Sequence, residues 1–144
     1  MAGAADRIED VKTNYGMVLK TVRDLKTDAC CCAETIPVAH RAILENIDCE
    51  ILDKFYGCGS PIPPALDGRA VLDLGSGSGR DVYLTSCVVG PRGSVIGVDM
   101  TDEPLAVAMT HRQSQAKRFG FLRSNVEFRK GYIEDLAKLG VADN

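Results

Sequence analysis

The chain reads as an α/β protein, the first βαβαβ half of a doubly wound parallel sheet preceded by an N-terminal helical segment. Three observations predict this. Beyond the proline-rich stretch Ser60-Pro61-Ile62-Pro63-Pro64, short apolar runs suited to strands alternate with runs of helical periodicity. Between the first strand and the first helix of that alternation stands Gly75-Ser76-Gly77-Ser78-Gly79, three alternate glycines where a backbone can turn tightly. The next apolar run, Gly93-Ser94-Val95-Ile96-Gly97-Val98-Asp99-Met100, ends in an acid roughly 20 residues farther on, a spacing found in nucleotide-binding folds of this kind.

The elements follow in chain order. Ile8, Val11, Tyr15, Val18, Leu19, Val22 and Leu25 fall at helical spacing and predict an amphipathic helix over roughly 8–25. A second helical stretch starts near Pro37, a residue tolerated in a first turn, and puts Ile43, Leu44, Ile47, Ile51, Leu52 and Phe55 on one side. Asn46 and Asp48 are placed to break it, with Asp48 capping the second piece. Gly57 and Gly59 are expected to end it, leaving Cys58 on a tight turn. Past the prolines, Ala70 to Leu74 is a strand, Arg80 to Val89 a helix, Ser94 to Val98 a strand, Glu103 to Phe119 a helix and Val126 to Lys130 a strand. The division therefore falls at the prolines: residues 1–60 form a helical segment carrying Cys30 and Cys58, and residues 61–144 form the half-sheet. Three parallel strands leave sheet edges that invite pairing, so the chain is expected to be the amino-terminal part of a longer protein.

Charge and composition narrow the partners. With 17 basic against 20 acidic side chains, the net charge of −3 supplies no field toward nucleic acid or an anionic membrane. No apolar stretch approaches the ~20 residues that span a bilayer, and the start Met1-Ala2-Gly3-Ala4-Ala5-Asp6 lacks the basic-then-apolar order of a secretory signal. A soluble, cytoplasmic monomer is expected. In a reducing compartment the six cysteines read as free thiols, ligands or redox groups rather than a permanent disulfide framework.

The glycine run carries the chemistry. Its backbone can approach a ligand that a Cβ would block, and the helix after it offers free N–H groups. For NAD or FAD the third glycine of the fingerprint belongs at position 80, which is Arg80; the third glycine here is Gly79. Asp73-Leu74-Gly75-Ser76-Gly77-Ser78-Gly79 instead resembles the acid-x-G-x-G-x-G signature of Rossmann-like class I methyltransferases that bind S-adenosylmethionine. That resemblance implies an incomplete methyltransferase fold in which Asp73, Gly75, Ser76, Gly77 and Gly79 border the cofactor. It also implies that Asp99 holds the ribose, Met100 packs on adenine, and Ile133 and Glu134 lie near the adenine amino group. Each has a plainer reading. The glycines alone could be a linker, Asp99 could simply end a strand, Met100 could be core, and Glu134 could complement a helix dipole.

A further set of motifs is more selective. Asn14-Tyr15-Gly16, Cys30, Phe55-Tyr56-Gly57-Cys58-Gly59-Ser60-Pro61-Ile62-Pro63, Val71 to Asp81 and Gly97-Val98-Asp99-Met100-Thr101 together resemble the arsenite methyltransferases, from about Val11 to the end of the chain. The resemblance implies that Tyr56 lies against S-adenosylmethionine and that Cys58 handles trivalent arsenic. It pairs Cys30 with Cys58 in a thiol-to-disulfide cycle, with arsenite or its thiol conjugates as substrate and a thiol reductant as partner. Two arsenic-binding cysteines of the family lie beyond the third strand and have no counterpart in this sequence. The chemistry is coherent in itself, since trivalent arsenic is soft, prefers thiolates, and carries a lone pair that can attack a sulfonium methyl.

The remaining thiols and histidines read as structural. Cys49 and Cys87 fall on helices, where cysteine commonly serves as a small buried apolar residue. Cys31 and Cys32 extend the Cys30 run without a family position. A zinc site finds no C-x-x-C spacing, and His40 and His111 read as solvated helix residues. Two other functions stay open: a segment that binds S-adenosylmethionine without catalysis, and a methyltransferase of another small molecule.

Overall fold

A computed structural model describes residue 9, residues 36–57 and residues 60–141. The expected helix over 8–25 and the residues Asn14-Tyr15-Gly16, Cys30, Cys31, Cys32, Cys58 and Gly59 lie outside the described residues.

Helix α1, Val38–Leu44, follows Pro37, whose fixed φ and missing N–H suit a helix start and whose carbonyl accepts from His40 and Arg41. Helix α2, Cys49–Asp53, is capped as expected by Asp48, whose carboxylate accepts from the Glu50 N–H at 3.0 Å. It ends sooner than the glycines predict, with Lys54 as C-cap. The reason is tertiary: Phe55 leaves the helix to lie beneath the Arg80 guanidinium, 3.5 Å from ring centroid to Cζ. Two histidine and cysteine expectations also change. His40 is buried, because it lies one turn before Ile43 and Leu44 on the face that meets the core. Cys49 is exposed, because the first residue after the cap faces away from Ile51.

The half-sheet forms as predicted. Strands β1 (Ala70–Leu74), β2 (Ser94–Asp99) and β3 (Val126–Lys130) lie parallel in the order β1-β2-β3, with Asp73 beside Gly97 and Asp99 beside Lys130. β2 runs one residue farther than its apolar pattern and so ends on Asp99. Helix α3, Arg80–Val89, is buried nearly all round, through Val82, Tyr83, Leu84, Thr85, Ser86 and Val89, as a helix pressed between a sheet and other helices must be. The Tyr83 ring meets Phe128 of β3 edge-on at 5.6 Å, and its hydroxyl donates to the Ala108 carbonyl. Burial pushes that phenol well above its ordinary range.

The predicted helix from Glu103 to Phe119 is two helices, α4 (Asp102–Thr110) and α5 (Arg112–Arg118), separated at His111. Contacts with α2 account for the break. His111 is not simply solvated: its Nε2 lies 2.7 Å from Glu50 Oε2, and its Nδ1 3.9 Å from Asp48. Gln115, fully buried, accepts from the Asp48 N–H at 3.0 Å and donates to the Asn46 carbonyl at 3.3 Å. The Ser78 hydroxyl donates to the Ile51 carbonyl at 2.8 Å. These bonds, with Ile47 and Ile51 in one core cluster with Val82, Leu84 and Phe128, seat the short helices against the half-sheet. Among the described residues, no helix is long and apolar enough to cross a membrane.

Gly79 shows what the glycine run does structurally. Its φ is +88°, and a Cβ there would stand 3.0 Å from Phe128 Cζ and 3.1 Å from Ala108 Cβ. Gly79→Ala therefore combines a left-handed alanine with overpacking and is expected to destabilise the chain by about 2–4 kcal/mol. Urea denaturation measures it, and a loss under about 1 kcal/mol would show that the loop has room to adjust.

Candidate functional site

The strands end together, and the loops after them enclose a cleft of about 580 Å³, within the range of small-molecule sites. The loop after β1 is tied to β2 by its backbone: the N–H groups of Gly75 and Ser76 both donate to the Val98 carbonyl, at 2.8 and 3.0 Å. Gly75 and Gly77 have φ of +78° and +53°, with no atom within 4 Å of where a Cβ would stand, so their surfaces are open to a ligand. Gly79 does not line the cleft; it packs against Phe128 and Ala108.

Asp99, 9 % exposed, fixes the loop. Its Oδ2 accepts from the Gly77 N–H at 2.8 Å and its Oδ1 from the Thr101 N–H at 2.7 Å. Each oxygen keeps a second lone pair, so the carboxylate can hold the loop and still accept from ligand hydroxyls. Nearby, the Ser76 hydroxyl is buried without a hydrogen-bond partner, a donor and acceptor that a ligand can satisfy.

The cleft is acidic. Asp73, Asp81, Asp99 and Glu134 line it, with Lys54 as the cation among the lining residues. Burial, then the charges of Asp81 and Asp99, push the Asp73 carboxyl up to about 6. Burial also raises Asp81, against the opposing pull of Arg80, whose Nε and Nη2 donate to its Oδ1 at 3.0 and 2.9 Å. A ligand bearing positive charge would relieve this crowding of carboxylates.

The structure brings Tyr56, Asp73, Gly75, Ser76, Gly77, Asp99, Met100, Ile133 and Glu134 to one cleft. Cys30 and Cys58 lie outside the described residues, but Gly57 and Pro61, on either side of residues 58 and 59 in the sequence, both line it. Phe55 and Asp81 also line the cleft and were not singled out by sequence. Asp81 in the first turn of α3 has an ordinary explanation in the helix dipole, and Phe55 one in helical periodicity, so neither announced itself. Among the described residues, no group of three or more His, Cys, Asp or Glu is placed to hold a metal ion.

Comparison with known proteins agrees with this geometry. A family model described as a methyltransferase domain matches residues 66–144. The arsenite methyltransferase of Aquipseudomonas alcaligenes is 53% identical over 135 residues, covering 94% of this chain and 38% of that protein. That of Mus musculus is 45% identical over 139 residues, covering 95% of this chain and 37% of that protein. Among solved structures, the X-ray crystal structure of an arsenic (III) S-adenosylmethionine methyltransferase from Chlamydomonas reinhardtii superimposes with a TM-score of 0.73 at 47% identity, covering 75% of this chain and 36% of that one. The chain thus spans between a third and two-fifths of the length of these relatives. Its parallel half-sheet, its glycine loop held by Asp99 and the match over residues 66–144 place it together: the chain belongs to the methyltransferase domain family.

Proposed function

We propose that this chain is the S-adenosylmethionine-binding part of an arsenite methyltransferase. The observation that carries the first half of this reading is the charge of the cleft. Three buried or half-buried aspartates surround open glycine backbone, and the cofactor carries both a sulfonium and an ammonium group. Asp73 would balance that positive charge, Asp99 would accept from the ribose hydroxyls, and the unpartnered Ser76 hydroxyl would be satisfied within the site. Tyr56, Met100 and Ile133 would supply apolar surface, with Glu134 at the adenine edge.

The second half rests on relatives that are arsenite methyltransferases by name and on the sequence Tyr56-Gly57-Cys58-Gly59, of which Tyr56 and Gly57 line the cleft. S-adenosylmethionine supplies an electrophilic methyl group. The chain's part is to hold a trivalent arsenic, bound by thiolates, in line with that methyl and to keep water from between them. Cys58 is the thiolate this chain would contribute, joined by cysteines that this sequence does not contain. When the arsenic lone pair forms the As–C bond, the methyl would leave its sulfonium sulfur, which keeps the electron pair of the broken S–C bond, and arsenic is thereby oxidised to the pentavalent state. Cys30 and Cys58 would return two electrons to it by closing a disulfide, the Cys30 thiol releasing its proton, and a thiol reductant would reopen that disulfide. The protein would work as a cytoplasmic monomer, without nucleic acid.

The test is an assay of a protein that continues this chain to the length of its relatives, with arsenite, S-adenosylmethionine and a thiol reductant. Methylated arsenic is the expected product, and Cys58→Ser is expected to lower its rate at least about a hundredfold. Cofactor binding with no methylated arsenic, or a Cys58→Ser protein as fast as the parent, would point to another small-molecule substrate.

A further inference from the structure

Arg80 is buried to 8 % exposure at the first position of α3, directly after the glycine loop, yet it does not line the cleft. Two residues that do line it meet on its guanidinium. Phe55, from the segment after α2, lies against its face at 3.5 Å. Asp81 accepts along its edge from Nε and Nη2, at 3.0 and 2.9 Å. The first wall of the cleft comes from the helical segment and the second from the half-sheet, and they are separate in sequence. Arg80 thus spans the two walls.

We infer that Arg80 is a positioning residue that fastens the Phe55–Tyr56 wall of the cleft to its acidic wall and holds the Asp81 carboxylate on its own edge. This rests on the reading of the cleft as a site for S-adenosylmethionine. Both halves of the inference follow from the guanidinium itself. Its planar, delocalised charge can stack on a ring and bind a carboxylate edgewise at once, which an ammonium cannot do in the same way. Its charge also compensates one of the carboxylates gathered here from β1, α3, β2 and the segment after β3: Asp73, Asp81, Asp99 and Glu134, with Lys54 as the cation on the opposite wall. Without Arg80, Asp81 becomes a second uncompensated acid beside Asp73. The two would then titrate as a coupled pair, with the upper step above the single step of the parent.

The experiment titrates S-adenosylmethionine into the parent chain and into Arg80→Gln, Arg80→Lys, Phe55→Leu and the double variant Arg80→Gln/Phe55→Leu, by calorimetry between pH 5 and pH 8, with a thermal melt of each. Arg80→Gln is expected to bind about tenfold more weakly than the parent, with the pH midpoint of binding moved upward. Arg80→Lys should keep the parent midpoint while losing affinity, since it retains the charge but not the flat face. In the double variant the combined loss should be smaller than the product of the single losses, the mark of two residues acting through one contact. Arg80→Gln bound as tightly as the parent at the parent midpoint overturns the inference. So does a lowered melting temperature in Arg80→Gln with unchanged binding and pH midpoint, which is all that a merely structural role would give. If Arg80→Gln does not fold, Arg80→Lys and Phe55→Leu decide the matter, and parent-like affinity in both overturns it. A parent chain that fails to bind overturns the cofactor reading instead, so the two failures are distinguishable.

Discussion

Asp99→Asn is expected to weaken binding of S-adenosylmethionine severely and to destabilise the ligand-free chain by about 3 kcal/mol. The side chain keeps its shape, so the effect comes from the lost charge and the lost second acceptor oxygen rather than from packing. In the parent, Oδ1 and Oδ2 each accept one backbone N–H, from Thr101 and Gly77, at a site that is nearly closed to water. An amide has one acceptor and one donor. Either Thr101 or Gly77 must then face an N–H, and an unsatisfied buried donor costs about 1–3 kcal/mol beyond the lost charge assistance. The consequence for binding is larger than the loss of one ribose contact. Gly77 stands at φ +53° in a loop otherwise tied down at Gly75 and Ser76, so releasing its N–H loosens the surface the cofactor would lie on. A drop of at least about a hundredfold in affinity is the expected calorimetric result. Parent affinity in Asp99→Asn would mean that the carboxylate merely ends a strand.

Asp73→Asn should act with opposite signs on stability and on binding. The Asp73 carboxyl is raised to about 6 by burial and by Asp81 and Asp99, against an ordinary value of 3.8. Between those values the folded chain holds a proton that the unfolded chain has released. Asp73's contribution to stability is therefore fully present below about pH 4 and is lost as pH rises through about 6. At neutral pH the charged carboxylate weakens the ligand-free fold by up to about 3 kcal/mol, and the neutral amide removes that strain. Urea denaturation at pH 7 should find Asp73→Asn more stable than the parent, and the two should converge at pH 4. Its affinity for S-adenosylmethionine should nevertheless fall at least about thirtyfold, because the charge that opposes folding is the one that would meet the cofactor's positive charge. A variant that loses both stability and affinity would assign Asp73 a structural role.

The sequence made the half-sheet legible because its signals are local. The first and third strands and the helix from Arg80 to Val89 follow their predicted bounds, since apolar runs and glycine punctuation act over a few residues. Asp48 was legible as a cap for the same reason. The misread helix ends were settled by contacts distant in the chain. The helix before Gly57 stops early because Phe55 meets Arg80, and the one through His111 breaks where His111 and Gln115 reach Glu50, Asp48 and Asn46. His40 looked solvated because helical periodicity alone does not say how wide the buried face is. The cleft shows the same division. Spacing drew attention to Asp73, the glycines and Asp99, while the meeting of Asp81, Arg80 and Phe55 depends on how α2 and the residues after it meet the glycine loop and the start of α3. Charge on one residue becomes informative only when its neighbours across the fold are known.

Calorimetric titration of the chain with S-adenosylmethionine across the titration of Asp73 tests the central claim most directly. A single saturable site is predicted, with affinity about tenfold weaker at pH 5 than at pH 7, because at the lower pH most of Asp73 must first lose its proton. Asp73→Asn should abolish that dependence. No binding at either pH, or an affinity that is the same at both, would contradict an acidic cleft built to receive a cationic cofactor.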